Sequence, residues 1–234
     1  MEIYAQALAD AVRLLGSGDT EVYNIIALSL RVSGLATLLA CLIGIPIGYA
    51  LGMSRFAGRT AIIILVNTAM GFPPVVIGLF VYMALSHAGP LGFLELLFTP
   101  TAMVAAQVIL AAPLITGVTT AAVGSVSRNL RVQVRALGAS RVQEAWAVLR
   151  EARRGVLAAV IAGFGGVISE VGAVSIVGGT ITGVTMVMTT AIQANVRMGK
   201  FGLAMAWALV LIGIVIVVNV GLTSLQQMGD HREQ

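Results

Sequence analysis

Long apolar runs separated by short polar stretches set the plan of this chain. Ile25–Leu51, Ala61–Leu85, Thr101–Val123, Val156–Val177 and Leu203–Leu225 carry almost no charge, Arg31 and Glu170 being the exceptions. A helix needs roughly 20 apolar residues to cross a hydrocarbon core of about 30 Å, and a helix satisfies its own backbone in lipid. The pattern therefore predicts an all-α integral membrane protein with five transmembrane helices, a single domain over residues 1–234. Ahead of the runs, residues 1–22 read as a short amphipathic helix ending at Gly16-Ser17-Gly18. They lack the basic start and apolar centre of a cleavable signal peptide. This segment is expected to lie along the membrane surface as an interfacial helix.

One polar stretch is unlike the rest. Residues 125–154 (SVSRNLRVQVRALGASRVQEAWAVLREARR) hold seven arginines against Glu144 and Glu151, in a chain with only 10% charged residues. Val142, Ala145, Trp146 and Leu149 follow helical spacing, flanked by Arg141, Gln143, Glu144 and Arg150. Gly138 interrupts the helical pattern of Leu130–Leu137 and lets two short helices meet at an angle. Lipid gives such a segment nothing, so it should serve a partner in water. An amphipathic knob of this kind suits helix-in-groove recognition. A membrane-surface helix, with arginines on anionic headgroups and Trp146 as anchor, fits the same residues.

Composition agrees with the runs. With 58% hydrophobic residues and a mean hydropathy of +0.98, the chain lies outside the range of soluble domains. The isoelectric point near 9.8 would suit nucleic acid, but topology accounts for the charge and no nucleic-acid partner is expected. With the N-terminus outside, the inner segments hold Arg55, Arg59, Arg128, Arg131, Arg135, Arg141, Arg150, Arg153, Arg154 and Arg232. The outer ones hold Arg13, Arg31, Arg197 and Lys200. Cytoplasmic loops favour cations, so the expected arrangement is N-terminus out and C-terminus in, with residues 125–154 in the cytoplasm.

Covalent chemistry is not expected of this chain. Cys41 sits alone in an apolar run and His87 alone beside Gly89-Pro90, so neither has a second metal ligand nearby. Asp10, Asp19 and Asp230 fall outside the runs and no H-E-x-x-H occurs, which leaves Glu170 without a catalytic partner. No G-x-x-x-x-G-K-[ST] phosphate cradle is present, and Gly199-Lys200 is followed by Phe201. An intramembrane acid also suits an ion- or proton-coupled secondary transporter centred on Glu170. The five runs, however, show no internal repeat of the kind such carriers use.

Pro73 and Pro74 fall in mid-run, and each lacks an amide hydrogen, so the carbonyls near Ala69 and Met70 lose their helix partners. Protein or a water-filled cavity must take up the freed groups; the break is either a hinge bordering a path or a packing kink. Pro113 is read the same way. Gly163, Gly165, Gly166 and Gly172 permit close helix approach. Glu170 falls about 21 Å beyond Val156 on a continuous helix, in the outer half of its span.

Gly138-Ala139-Ser140, ahead of the penultimate run, resembles the cytoplasmic coupling loop of ABC-type import permeases. Where that family begins its motif with Glu-Ala-Ala, this chain has Val132-Gln133-Val134, and the later Leu-Pro is missing. Phe72-Pro73-Pro74-Val75-Val76-Ile77-Gly78 is similar to the Pro-Pro-x-Val-x-Gly segment of molybdate and tungstate permeases. Leu149-Arg150-Glu151-Ala152-Arg153, Gly163-Phe164-Gly165 and Ser169-Glu170-Val171-Gly172-Ala173 resemble the tungstate-type branch. So do Val177-Gly178-Gly179 and Thr189-Thr190-Ala191-Ile192, and the similarity runs from about residue 24 to 225. Gly166 stands where that branch carries arginine.

The resemblance implies a type I ABC importer fold with a cytoplasmic coupling helix, in the cytoplasmic (inner) membrane of a bacterium or archaeon. It implies a permease carrying tungstate, or else molybdate or sulfate, inward by alternating access. Its partners would be a second copy of the permease, two cytoplasmic ABC ATPase subunits holding ATP and Mg, an extracytoplasmic oxyanion-binding protein, and membrane lipids. This chain would need no cofactor or metal. Gly138, Ala139, Ser140, Arg141, Gln143, Glu144 and Trp146 are then candidates for coupling to the ATPase. Pro73, Pro74, Glu170, Thr180, Thr182, Thr185, Thr189 and Thr190 are candidates for gate or path. Threonine hydroxyls can weakly replace the hydration of a tetrahedral oxyanion, and weak binding permits release. A bare charge at Glu170 would repel that cargo, so its carboxyl is expected to be protonated, or hydrogen-bonded to Ser169 or backbone. Arg197 and Lys200 are expected on the outer surface.

Overall fold

The structure, a computed structural model, describes residues 2–16 and 18–228. Ser17, Asp230 and Arg232 lie outside the described residues. The helices are α1 Glu2–Gly16, α2 Thr20–Met53, α3 Arg59–Met70, α4 Pro74–Leu85, α5 Pro100–Gly124, α6 Arg128–Ala136, α7 Arg141–Glu151, α8 Arg153–Ile168, α9 Gly172–Gly178, α10 Met188–Arg197 and α11 Phe201–Met228. A 3-10 turn covers Gly92–Leu94, and no strand occurs among the described residues.

α2, α5 and α11 are each long and apolar enough to cross a membrane alone. The other two runs are not straight: a break was expected at Pro73-Pro74, whereas the bend in the fourth run corrects the expectation of a continuous helix there. α3 and α4 meet at 97°, and α8 and α9 at 55°. Proline explains the first bend: Pro73 caps α4 in an extended conformation, and Pro74 fills its first turn, where the missing amide costs nothing. The Ala69 carbonyl finds a new donor in the Phe72 amide at 3.3 Å. The second bend contains no proline. α8 stops at Ile168, and Ser169 Oγ turns back to donate to the Gly165 carbonyl at 2.6 Å. Glu170 therefore sits in the break, not on the flank of a continuous helix.

The core is the pairing of α2 with α5. Gly44, Gly48 and Gly52 recur every four residues and so share one face of α2. A Cβ at Gly48 would stand 2.7 Å from both the Thr116 carbonyl and Thr119 Cβ, so the two backbones touch there. α5 runs through Pro113 without a break, and Pro113 makes no hinge. Around this pair, α8 packs through Gly163 on Ile115, and α3 through Met70 on Gly117. α1, expected on the membrane surface, is packed along α11: Ala11 is buried with Trp207 and Val210, while Val12 and Leu15 face outward.

Candidate translocation path and coupling surface

The two bends lie against each other. A Cβ at Gly172, the first residue of α9, would meet Val75 Cγ2 at 2.7 Å and Glu170 Oε1 at 3.3 Å. One turn on, Gly78 of α4 touches the Ala173 backbone. Pro74 and Glu170, flagged separately from the sequence, thus belong to one junction. Glu170 is half-buried, and its Oε1 accepts from the Ala173 amide at 3.0 Å. Its carbonyl accepts from Thr189 Oγ1 at 2.9 Å. The carboxyl is thus bonded to backbone at the start of α9, where unpaired amides need an acceptor; Ser169 turns elsewhere.

Beside the junction lies a cavity of about 10 Å³, lined by Ser29 and Ser33 of α2, Gln107 of α5, Glu170 and Thr189. That is space for about one water. Gln107 is 2% exposed; its Nε2 donates to the Val167 carbonyl at 2.8 Å, and its Oε1 has no partner among the described residues. Ser29 Oγ donates to the Ile25 carbonyl and accepts from the Met188 amide at 2.8 Å. Sequence reasoning passed over both Ser29 and Gln107. A lone amide inside an apolar run was the available signal for Gln107.

The candidate threonines divide into two groups. Thr185 Oγ1 donates to the Gly178 carbonyl and accepts from the Ile181 amide, and Thr190 Oγ1 closes a turn on Val187. Both are buried and occupied with their own loop. Thr180 is half-buried with φ +54, directly after Gly179 at φ +72, and Thr182 is exposed. Arg197, the last residue of α10, and Lys200 just beyond it are exposed.

The arginine-rich stretch folds as expected into two short helices about Gly138, whose φ of +80 is cheap only for glycine. Ser140 caps α7 and Gln143 returns the bond to the Ser140 amide at 2.7 Å, a capping box. Glu144 requires a correction. Expected as a docking contact, it is buried and takes Arg135 Nε at 2.7 Å and Arg131 Nε at 3.4 Å. The Arg135 hydrogen bond, seconded by Arg131, holds its carboxyl below the usual carboxylate range against the opposing effect of burial. Glu144 is the tie between α6 and α7. What is exposed instead is apolar: Leu137 is 87% exposed, Val142 79% and Trp146 71%, with Arg141 beside them. On the opposite face Val148 is buried with Val123 and Ala152, close to Tyr49 and Met53. Ala152 both ends α7 and begins α8. The exposed patch is therefore mounted directly on the ends of α2, α5 and α8.

Residues 44–232 match the family described as binding-protein-dependent transport system inner membrane component. The chain belongs to that family. It is 43% identical over 205 residues to a probable anion ABC transporter permease protein of Haloferax volcanii, covering 86% of this chain and 88% of that one. Over 231 residues it is 40% identical to the tungstate uptake system permease protein TupB of Peptoclostridium acidaminophilum, covering 97% and 100%. The fold is also that of the methionine ABC transporter MetNI in inward facing conformations, with a TM-score of 0.74 at 16% identity over 89% of this chain and 96% of that one. This permease is accordingly an inner-membrane component of an ABC transport system.

Proposed function

We propose that this permease imports tungstate, with molybdate and sulfate as the next candidates, by alternating access driven by ATP hydrolysis on partner subunits. The observation that carries the reading is its full-length similarity to a tungstate uptake permease. An exposed apolar patch on a braced helix pair supplies the place where such a motor would dock. The complete machine has two copies of this chain, each with five crossings, N-terminus out and C-terminus in. Two cytoplasmic ATPases bind ATP and Mg, and an extracytoplasmic protein delivers the oxyanion.

The chain's own part is mechanical. Closure of the ATPase pair pushes on Leu137, Arg141, Val142 and Trp146. Gly138 and Ala139 form the turn, Ser140 and Gln143 secure the start of α7, and Glu144 makes α6 and α7 move as one. Val148 and Ala152 pass the displacement to α5 and α8, and the bent pairs α3–α4 and α8–α9 shift about their junction. Pro73, Pro74, Glu170, Thr180, Thr182 and Thr189 border the path. Thr185 and Thr190 shape the loop that borders it.

The test is uptake by the reconstituted transporter, with tungsten, molybdenum and sulfur counted by elemental mass spectrometry. ATP-dependent accumulation of tungsten is expected. Uptake that persists without ATP and collapses with the proton gradient would replace this reading with a secondary transporter centred on Glu170.

A further inference from the structure

Arg31 is the only cation inside the five apolar runs, and the coupling mechanism makes no use of it. It lines a cavity of about 480 Å³ together with Thr20, Asn24, Thr182 and Gly183. Thr20, Asn24 and Arg31 are spaced by four and seven residues, so they share one face of α2. No carboxylate among the described residues pairs with the Arg31 guanidinium. Glu21 lines the same cavity, ten residues and about 15 Å along the helix from Arg31 but only one turn before Asn24. One end of the cavity is thus acidic, and the end nearer the apolar core of α2 is cationic.

The wall facing α2 adds neutral donors. Gly183 holds φ +77, and a Cβ built there would meet nothing within 4 Å. Neither its amide nor that of Thr182 is taken up by a hydrogen bond among the described residues. An ionised residue at the edge of an apolar span is costly unless a counter-charge or a watery cavity receives it. Here a guanidinium, a carboxamide, a hydroxyl and open backbone amides line one space, a set that matches the lone pairs of a tetrahedral oxyanion.

We propose that this cavity is a transit site for the oxyanion, with Arg31 as its cation and Asn24 and the Thr182–Gly183 turn among its neutral lining groups. The inference rests on the oxyanion reading above. A cavity of about 480 Å³ is far larger than one such ion, so the site is a vestibule with exchangeable binding, as passage requires. Arg31 attracts the anion after delivery, and the path beyond the α4–α9 junction receives it.

The experiment uses the whole transporter, with ATPase and binding protein, in vesicles of phosphatidylcholine with and without an anionic lipid. Initial tungstate uptake is measured against the concentration of tungstate-loaded binding protein. Arg31→Gln is expected to lower the maximal rate by about tenfold or more, the loss of one charge-assisted contact. Arg31→Lys should regain most of it, and Thr182→Val should lower it several-fold. An unchanged maximal rate in Arg31→Gln overturns the site. A change confined to the binding-protein concentration giving half-maximal rate also overturns it, by making Arg31 a docking contact for that protein. A defect seen only with anionic lipid makes Arg31 a headgroup anchor, and the site falls likewise. If the unaltered transporter moves no tungstate, molybdate or sulfate, the oxyanion reading itself has failed and takes the site with it; that result is visible before any variant is made.

Discussion

Gly78 of α4 stands so close to Ala173 of α9 that a Cβ on the glycine would lie 2.6 Å from the Ala173 Cα. Both partners are backbone, so neither can step aside by changing rotamer. Helices in lipid associate largely by such packing. The two that meet here are the second halves of the bent pairs, so this contact binds one bend to the other.

Adding a single methyl at this crossing should therefore be felt. Gly78→Ala is expected to cost about 1–3 kcal/mol, the range for overpacking, and to lower both the thermal midpoint in detergent and the rate of uptake. Gly165→Ala is the control, because a Cβ there meets nothing within 4 Å, and its midpoint should hold or rise slightly. Equal midpoints for the two variants would refute a backbone-to-backbone crossing.

The two bends differ in how far the sequence announced them. Pro73-Pro74 was legible because a proline pair cannot continue a helix. The second bend carries no proline; besides the local bonds of Ser169 and Glu170, it is held by groups from elsewhere, Thr189 bonding the Glu170 carbonyl across 19 residues and Gln107 bonding the Val167 carbonyl across 60. A pattern of local periodicity cannot contain those partners. The same limit hid the role of Glu144. In an arginine-rich stretch Glu144 reads as a contact for a partner, yet α6 folds back to place Arg131 and Arg135 beside it. Gly138 was legible for the opposite reason, since its left-handed turn is a property of the residue itself.

The Glu144 brace should carry a pH signature. Its carboxyl is held below the usual carboxylate range by Arg135 and Arg131, so near that range the unfolded loop binds more protons than the folded one. The stabilisation is complete at neutral pH, above the unfolded value, and is lost as pH falls through the lowered one. Hydrogen exchange across α6 and α7, corrected for intrinsic rates, should accelerate over that acid window. Glu144→Gln should exchange fast already at neutral pH and show no such acceleration. Wild-type protection of Glu144→Gln throughout would mean that α6 and α7 are joined by something else.

Trp146 and Leu137 should separate docking from folding. Both are largely exposed, so Trp146→Ala and Leu137→Ala should change the stability of the permease by no more than about 0.5 kcal/mol. Co-purification with the ATPase should nevertheless fall about tenfold or more if they anchor in a groove. Val148→Ala should do the reverse at first sight, costing about 1.5–3 kcal/mol from a buried position while leaving the outer patch chemically intact. ATPase capture unaltered by Trp146→Ala and Leu137→Ala would remove the patch as the docking surface.

The last test concerns the unannounced bend. Thr189 Oγ1 donates to the Glu170 carbonyl at 2.9 Å, and that carbonyl lies where α8 has ended and α9 has not begun. Thr189→Val keeps the shape of the side chain and removes the donor, leaving the carbonyl unpaired at a cost of about 1–3 kcal/mol. Thr189→Ser keeps the donor and loses only a methyl group. ATPase association should be normal in both, because α6 and α7 are untouched. Uptake should fall in Thr189→Val and stay near the wild-type rate in Thr189→Ser. Wild-type uptake by Thr189→Val would show that the bend stands without this bond, and the Gln107–Val167 contact would then be the brace that holds it.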